Sequence, residues 1–165
     1  VRDMINAAKA ANVGPMAAVA GAIAEYVGKD LLNHSPEIIV ENGGDTFIKV
    51  DGSITVGIYA GKSPLSLKIG LLLDTAEKPL SVCTSSGTIG HSKSSGMADA
   101  VCVISRSGAL ADAAATAMGN ILTSKENIQE AIDLGRKRKG IQGVVVIMGD
   151  NLGIWGDLKI VPLER

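Results

Sequence analysis

Aromatic side chains are almost missing from this 165-residue chain, which has one Phe, one Trp and two Tyr. A protein that stacks on nucleic-acid bases needs such rings and usually carries excess basic charge. Lys plus Arg is 16 against Asp plus Glu 17, so nucleic acid is not an expected partner. Cysteine is also scarce. Cys83 and Cys102 form no CxxC pair and stand in no His cluster, which argues against a zinc site or a disulfide framework. A reducing compartment, the cytoplasm, is therefore expected. Long apolar runs are lacking as well: Met16 to Val27 is interrupted by Glu25 and is too short to span a bilayer. The chain opens on Val1 rather than Met, and the expectation is one domain over residues 1–165 that lacks an N-terminal portion.

Small residues are abundant. Apolar residues make up 46% of the chain, many of them Ala, and there are 20 Gly, so the core is expected to pack by close backbone approach. Residues 2–12 read as a short helix, and Pro15 opens a second one running to about Leu32. In it Met16, Val19, Ala20, Ile23, Val27 and Leu31 recur at helical spacing and predict a buried stripe. Ile38 to Val40 is a short strand ending in Asn42-Gly43-Gly44-Asp45. Alternating residues on either side of Asp51-Gly52 predict a hairpin, and Leu65, Leu67, Ile69 and Leu71 a further strand. Leu80 to Cys83 and Ala100 to Ile104 flank a Ser/Thr/Gly-rich loop, and a small-residue helix runs from Gly108 to Asn120. Thr123-Ser124-Lys125-Glu126 reads as a capping box opening a helix to about Lys137. The run Arg136 to Lys139 at its end reads as solvated charge complementing the helix dipole. Val144 to Met148 and Ile154 to Val161 predict a final hairpin. Sequential hairpins with helices in blocks give an α+β class with a mainly antiparallel sheet.

Three stretches carry possible chemistry. Asp112 and Thr116 are one helical turn apart, so a carboxylate and a hydroxyl share a face, which suits a hard cation such as Mg2+. The plain alternative is a helix N-terminal carboxylate and a Thr bonded back to a carbonyl. Asn42-Gly43-Gly44-Asp45 either presents backbone amides to a ligand or is only a turn. Thr84-Ser85-Ser86-Gly87-Thr88, followed by His91, offers hydroxyls, amides and a group that can hold a phosphate or shuttle a proton. Ser85, Ser86, His91, Asp99 and Asp112 also permit a Ser-His-Asp arrangement, but the G-x-S-x-G elbow is absent.

These residues occur in the order seen in the ApbE family, once called thiamine-biosynthesis lipoproteins and known as FAD:protein FMN transferases. Gly14-Pro15-Met16-Ala17-Ala18-Val19-Ala20-Gly21 and Thr84 to Thr88 look most like a smaller branch of ApbE-like proteins. The resemblance implies a two-layer, T-fold-like α+β domain with helices packed on one face of the sheet. It assigns flavin-nucleotide (FAD or FMN) contacts to Asn42, Gly43, Gly44, Asp45 and the loop Thr84 to Thr88. It assigns Mg2+ to Asp112 and Thr116, and proton handling to His91 or Asp112. A flavin transferase or a pyrophosphate hydrolase is the implied activity; the alternative is a non-catalytic binding or assembly module that keeps the fold. The partner expected is a small nucleotide, and the sequence leaves self-association open. Two departures stand out: the family's D-P pair after the His is missing, and no lipoprotein cysteine is present.

Overall fold

The computed structural model describes residues 1–89 and 96–164. In chain order the elements are α1 (Arg2–Ala11), a 3-10 turn (Pro15–Ala18), α2 (Val19–Leu31), β1 (Ile38–Asn42), β2 (Asp45–Lys49), β3 (Ser53–Gly57), β4 (Ile69–Asp74) and β5 (Leu80–Ser85). They continue as β6 (Ala100–Ser105), α3 (Gly108–Ile121), a 3-10 turn (Lys125–Asn127), α4 (Ile128–Arg136), β7 (Ile141–Met148), β8 (Asn151–Gly156) and β9 (Lys159–Pro162). Local chemistry sets the helix ends. Asn12 stops α1 in the left-handed conformation at φ 59°, and the Ser107 hydroxyl accepts the Leu110 N–H at the start of α3. The capping box after α3 pairs Ser124 with Asn127, not Thr123 with Glu126.

All strand pairs among the described residues are antiparallel. Six strands form one sheet in the order β1-β2-β5-β6-β7-β8, and β3-β4-β9 form a second. Strand alternation then sorts the core. Val101 and Val103 of β6 pack with Val144 and Val146 of β7 against the alanines of α3 and against α4. The intervening Ala100, Cys102, Ile104, Val145 and Ile147 face Leu71 and Leu73 of the small sheet. The helices thus lie on one face of the six-stranded sheet, as expected, and the three-stranded sheet adds a further layer on the other.

Several expected elements are placed differently. Asp51-Gly52 closes no hairpin: β2 is already flanked by β1 and β5, so the turn passes the chain to the second sheet, where β3 pairs with β4. Leu65 and Leu67 belong to a turn, where the Ser63 hydroxyl accepts the Leu65 N–H and the Ser66 hydroxyl accepts the Ala60 N–H. Local side-chain bonds there compete with the strand. The final hairpin is β7-β8 only, and β9 crosses to pair with β4. The stripe expected to be buried on α2 is largely the wrong one: Met16, Ile23, Val27 and Leu31 are exposed, while Gly21, Ala22, Ala24, Glu25 and Gly28 are buried. Within the basic run, Arg138 is not simply solvated. Its guanidinium donates to the carbonyls of Ala10 and Ala11 at 2.9 and 3.0 Å and so satisfies the C-terminal end of α1. No described helix is long and apolar enough to cross a membrane.

Candidate functional site

The site begins where α2 crosses α3. A Cβ on Gly21 would lie 2.3 Å from the Gly108 carbonyl oxygen, and one on Gly108 would lie 2.3 Å from that of Gly21, so the two backbones touch. One turn on, the buried Glu25 carboxylate of α2 accepts the Gly108 N–H at 2.7 Å and caps α3 from outside its own sequence. Lys29 pairs with the same carboxylate. This junction fixes the rotation of α3. It turns Asp112 and Thr116 outward, both half-buried, while Ala111, Ala113, Ala114, Ala115 and Ala117 face inward.

Asp112 is held by α2, its carboxylate accepting the Gly21 N–H at 3.0 Å. The neighbouring carbonyl of Ala20 accepts the Asn42 side-chain amide at 3.2 Å. Asn42 and Asp112 therefore bracket one peptide of α2 and stand at the same end of the site. Between Asn42 and Asp45 the chain reverses in two residues. Gly43 (φ 65°) and Gly44 (φ 99°) both have positive φ, as a tight type I′ hairpin requires. A Cβ on either would meet nothing within 4 Å, so these glycines serve the turn, and the space beside them is open.

Asp45 opens β2 and is buried, and its carboxylate accepts the Thr84 N–H at 3.2 Å. Burial, and next the charge of Asp112, push its pKa up to about 7. Burial raises Asp112 to about 6, opposed by the amides of Gly21 and Ala20. Two carboxylates thus stand close together in a poorly hydrated place. Below them lie the Cys83 thiol, pushed well up by burial and by Asp45, and Cys102, raised to about 11 by burial. Neither thiol is a ready nucleophile.

A cavity of about 790 Å³ gathers these groups, within the range of small-molecule sites. On the helix side it is walled by Ala17, Ala20, Asp45, Asp112 and Thr116, and at the end of the sheet by Asn42, Gly43 and Gly44. Glu41, Thr46, Thr84, Ser85 and Ser86 complete the polar part. The remainder is apolar, formed by Val56 to Tyr59, Val82 and Cys102.

Two sequence-predicted residues fall elsewhere. Gly87 and Thr88 do not line the cavity. A Cβ on Gly87 would lie 1.9 Å from the Gly96 carbonyl oxygen, and the Thr88 hydroxyl donates to Asp99 at 3.2 Å, so both serve loop packing. His91 lies outside the described residues. The Ser86 hydroxyl accepts the N–H groups of Thr88 and Ile89, a turn role rather than that of a nucleophile. Sequence reasoning missed Glu25, the Gly21 amide, Met16, Tyr59 and Cys102. Only the cluster Gly14 to Gly21 hinted at the first wall.

The described residues contain no group of three or more His, Cys, Asp or Glu side chains able to hold a metal. A hard cation needs less: Asp112 and Thr116 offer two oxygens on a free wall of the cavity, with room for water and phosphate. No described Lys or Arg lines the cavity. Among the described residues a bound phosphate would meet no cationic side chain, and the donor set of Asp112 and Thr116 fits Mg2+.

The shifts of the two carboxylates have a stability consequence. A carboxyl whose pKa is raised on folding favours the folded state while protonated, and that contribution disappears as pH rises through about 7. Asp45→Asn keeps an acceptor for the Thr84 N–H and removes the charge. The variant is expected to melt above the unsubstituted protein at pH 8, with the gap closing as pH falls toward about 4. Equal melting temperatures at pH 8 would show that Asp45 is not strained by its charge.

Helices laid on one face of an antiparallel sheet make this an α+β domain, a fold it shares with a solved ApbE structure. The family model described as AbpE bacteria matches residues 1–154, and the chain belongs to that family. It is 42% identical over 163 residues to a UPF0280 protein of Methanococcus aeolicus, covering 96% of this chain and 66% of that protein. It is 44% identical over 171 residues to a UPF0280 protein of Methanocaldococcus jannaschii, covering 100% of this chain and 69% of the relative. The chain thus spans about two thirds of the length of these relatives. The crystal structure of the flavinyl transferase ApbE of Pseudomonas stutzeri, in its apo form, matches 87% of this chain and 48% of its own at a TM-score of 0.54 and 18% identity. At that identity the likeness is one of fold.

Proposed function

We propose that the cavity binds a flavin nucleotide, FAD or FMN, with Mg2+ held at Asp112 and Thr116. One observation carries this reading: Asn42 to Asp45, Thr84 to Ser86, and Asp112 with Thr116 are far apart in sequence yet line a single cavity. Membership of the AbpE family and the fold shared with a flavinyl transferase support the choice of flavin. When bound, Mg2+ supplies Lewis-acid polarisation of a phosphoryl oxygen and offsets phosphate charge.

The chain's own residues would do the rest. The Gly21 amide orients the Asp112 carboxylate. Asn42, tied to Ala20, and the open side of Gly43-Gly44 form the adjoining wall. The hydroxyls of Thr84 and Ser85 are placed for polar contacts. Asp45 is held near neutral pKa and can take up or release a proton beside the phosphates, in a transferase or a pyrophosphate hydrolase. The two free, buried thiols Cys83 and Cys102 support a reducing, cytoplasmic setting. The backbone contact of Gly21 with Gly108 favours a second reading, in which the small residues of α3 serve packing alone and the domain is an assembly module.

Thermal melting with FAD, FMN or ATP, each with and without Mg2+, separates the two. A flavin at a hundred times its dissociation constant adds roughly 2.7 kcal/mol, or about 5–10 °C in a domain of this size. That shift is expected with Mg2+ and is reduced without it. Assay of released AMP from FAD then distinguishes pyrophosphate cleavage from binding. No flavin-dependent shift in either condition would overturn the reading.

A further inference from the structure

Of the chain's four aromatic residues, three are accounted for. Phe47 is fully buried under α2, Trp155 packs against the helix-side core, and Tyr26 bonds to Asp3 beside Lys29. Tyr59 has no such partner. It lines the cavity, it is 59% exposed, and its hydroxyl makes no hydrogen bond among the described residues.

Its position is nonetheless fixed. Ile58 and Ala60, on either side of it, are 3% and 0% exposed, so Tyr59 alone of the three is turned outward. The Ile58 carbonyl accepts the Leu67 N–H at 2.8 Å, and the Ala60 N–H donates to the Ser66 hydroxyl at 2.9 Å. Gly61 follows at φ 53°, where a Cβ would lie 2.8 Å from Ile89, another residue of the cavity wall. The backbone that carries the ring is thus anchored on both sides and the ring itself is left uncovered. Preorganisation of this kind lowers the entropy lost when a ligand stacks.

We infer that Tyr59 is a ring-stacking residue of the cavity, taking the planar heteroaromatic part of a ligand whose phosphate end lies toward Asp112. The inference rests on the nucleotide reading proposed above and adds an orientation to it. The acidic end, with Asp45, Asp112 and Thr116, suits phosphate and cation. The apolar end, with Val56, Ile58 and Val82, suits a flat ring, and Tyr59 stands on its exposed rim.

The test compares the unsubstituted protein with Tyr59→Phe and Tyr59→Ala. Each is titrated with FMN and with inorganic pyrophosphate, both with Mg2+, following flavin fluorescence and melting temperature. Unsubstituted protein and Tyr59→Phe are expected to bind FMN equally and to quench its fluorescence. Tyr59→Ala is expected to bind FMN about tenfold more weakly, with the quenching lost. Pyrophosphate, which has no ring, should stabilise all three alike, which also shows that Tyr59→Ala is folded. Unchanged FMN affinity and quenching in Tyr59→Ala would overturn the inference alone, whereas pyrophosphate binding without FMN binding in the unsubstituted protein would overturn it together with the choice of flavin. Failure of the unsubstituted protein to bind either probe would overturn the nucleotide reading and this inference with it.

Discussion

Gly21→Ala is expected to lower the melting temperature by about 6–12 °C, the equivalent of roughly 3 kcal/mol in a domain of this size. The added methyl would meet the Gly108 carbonyl oxygen at 2.3 Å and the Asp112 Cβ at 2.8 Å. Neither is the far end of a flexible side chain, so relief requires α2 and α3 to separate. Separation also weakens the Glu25 cap on Gly108 and lengthens the Gly21 bond to Asp112, so the variant should lose ligand affinity along with stability. Gly14→Ala is the control. Gly14 is extended, at φ −71° and ψ 152°, and a Cβ there meets nothing within 4 Å. Its melting temperature should change by no more than about 2 °C. If Gly21→Ala melts with Gly14→Ala, the close crossing of the two helices is not what holds the site together.

That crossing also explains what the sequence concealed. Apolar spacing on α2 pointed to Met16, Ile23, Val27 and Leu31 as the buried face, because periodicity weighs large side chains most heavily. The helix packs instead through Gly21 and Gly28, where a Cβ on Gly28 would fall 2.1 Å from the Phe47 ring. Abundant Gly and Ala did signal close backbone approach, but not which face would use it. Strand positions were legible from alternation wherever a strand is half-buried. Pairing partners were less so, since nothing local in Asp51-Gly52 or in residues 157–158 says that the chain changes sheets. In the candidate site, the turn Asn42 to Asp45 and the Asp112–Thr116 pair could be read from spacing. The trans cap by Glu25, the Arg138 bonds to α1 and the outward Tyr59 could not, because each depends on residues brought together only by tertiary structure.

Asp112→Asn is expected to weaken Mg2+-dependent FAD binding by about 100-fold, roughly 2.7 kcal/mol, while leaving the fold intact. The asparagine oxygen can still accept the Gly21 N–H, so the α2–α3 junction keeps its bond, and only the charge disappears. Its removal also relieves Asp45, whose carboxyl is raised partly by Asp112, so unliganded stability at pH 8 should be unchanged or higher. Loss of affinity with gain of stability is a combination that packing alone does not produce. Thr116→Val, which keeps the shape and removes one oxygen, should reduce binding by a smaller factor of about ten, because a hydroxyl contributes less than a carboxylate to a hard cation. In both variants the loss should appear as a weaker response to Mg2+, with residual flavin binding in its absence close to that of the unsubstituted protein. If Asp112→Asn binds FAD with undiminished Mg2+ dependence, the carboxylate is not the cation's ligand. The small-residue helix α3 would then be read as a packing element of an assembly module.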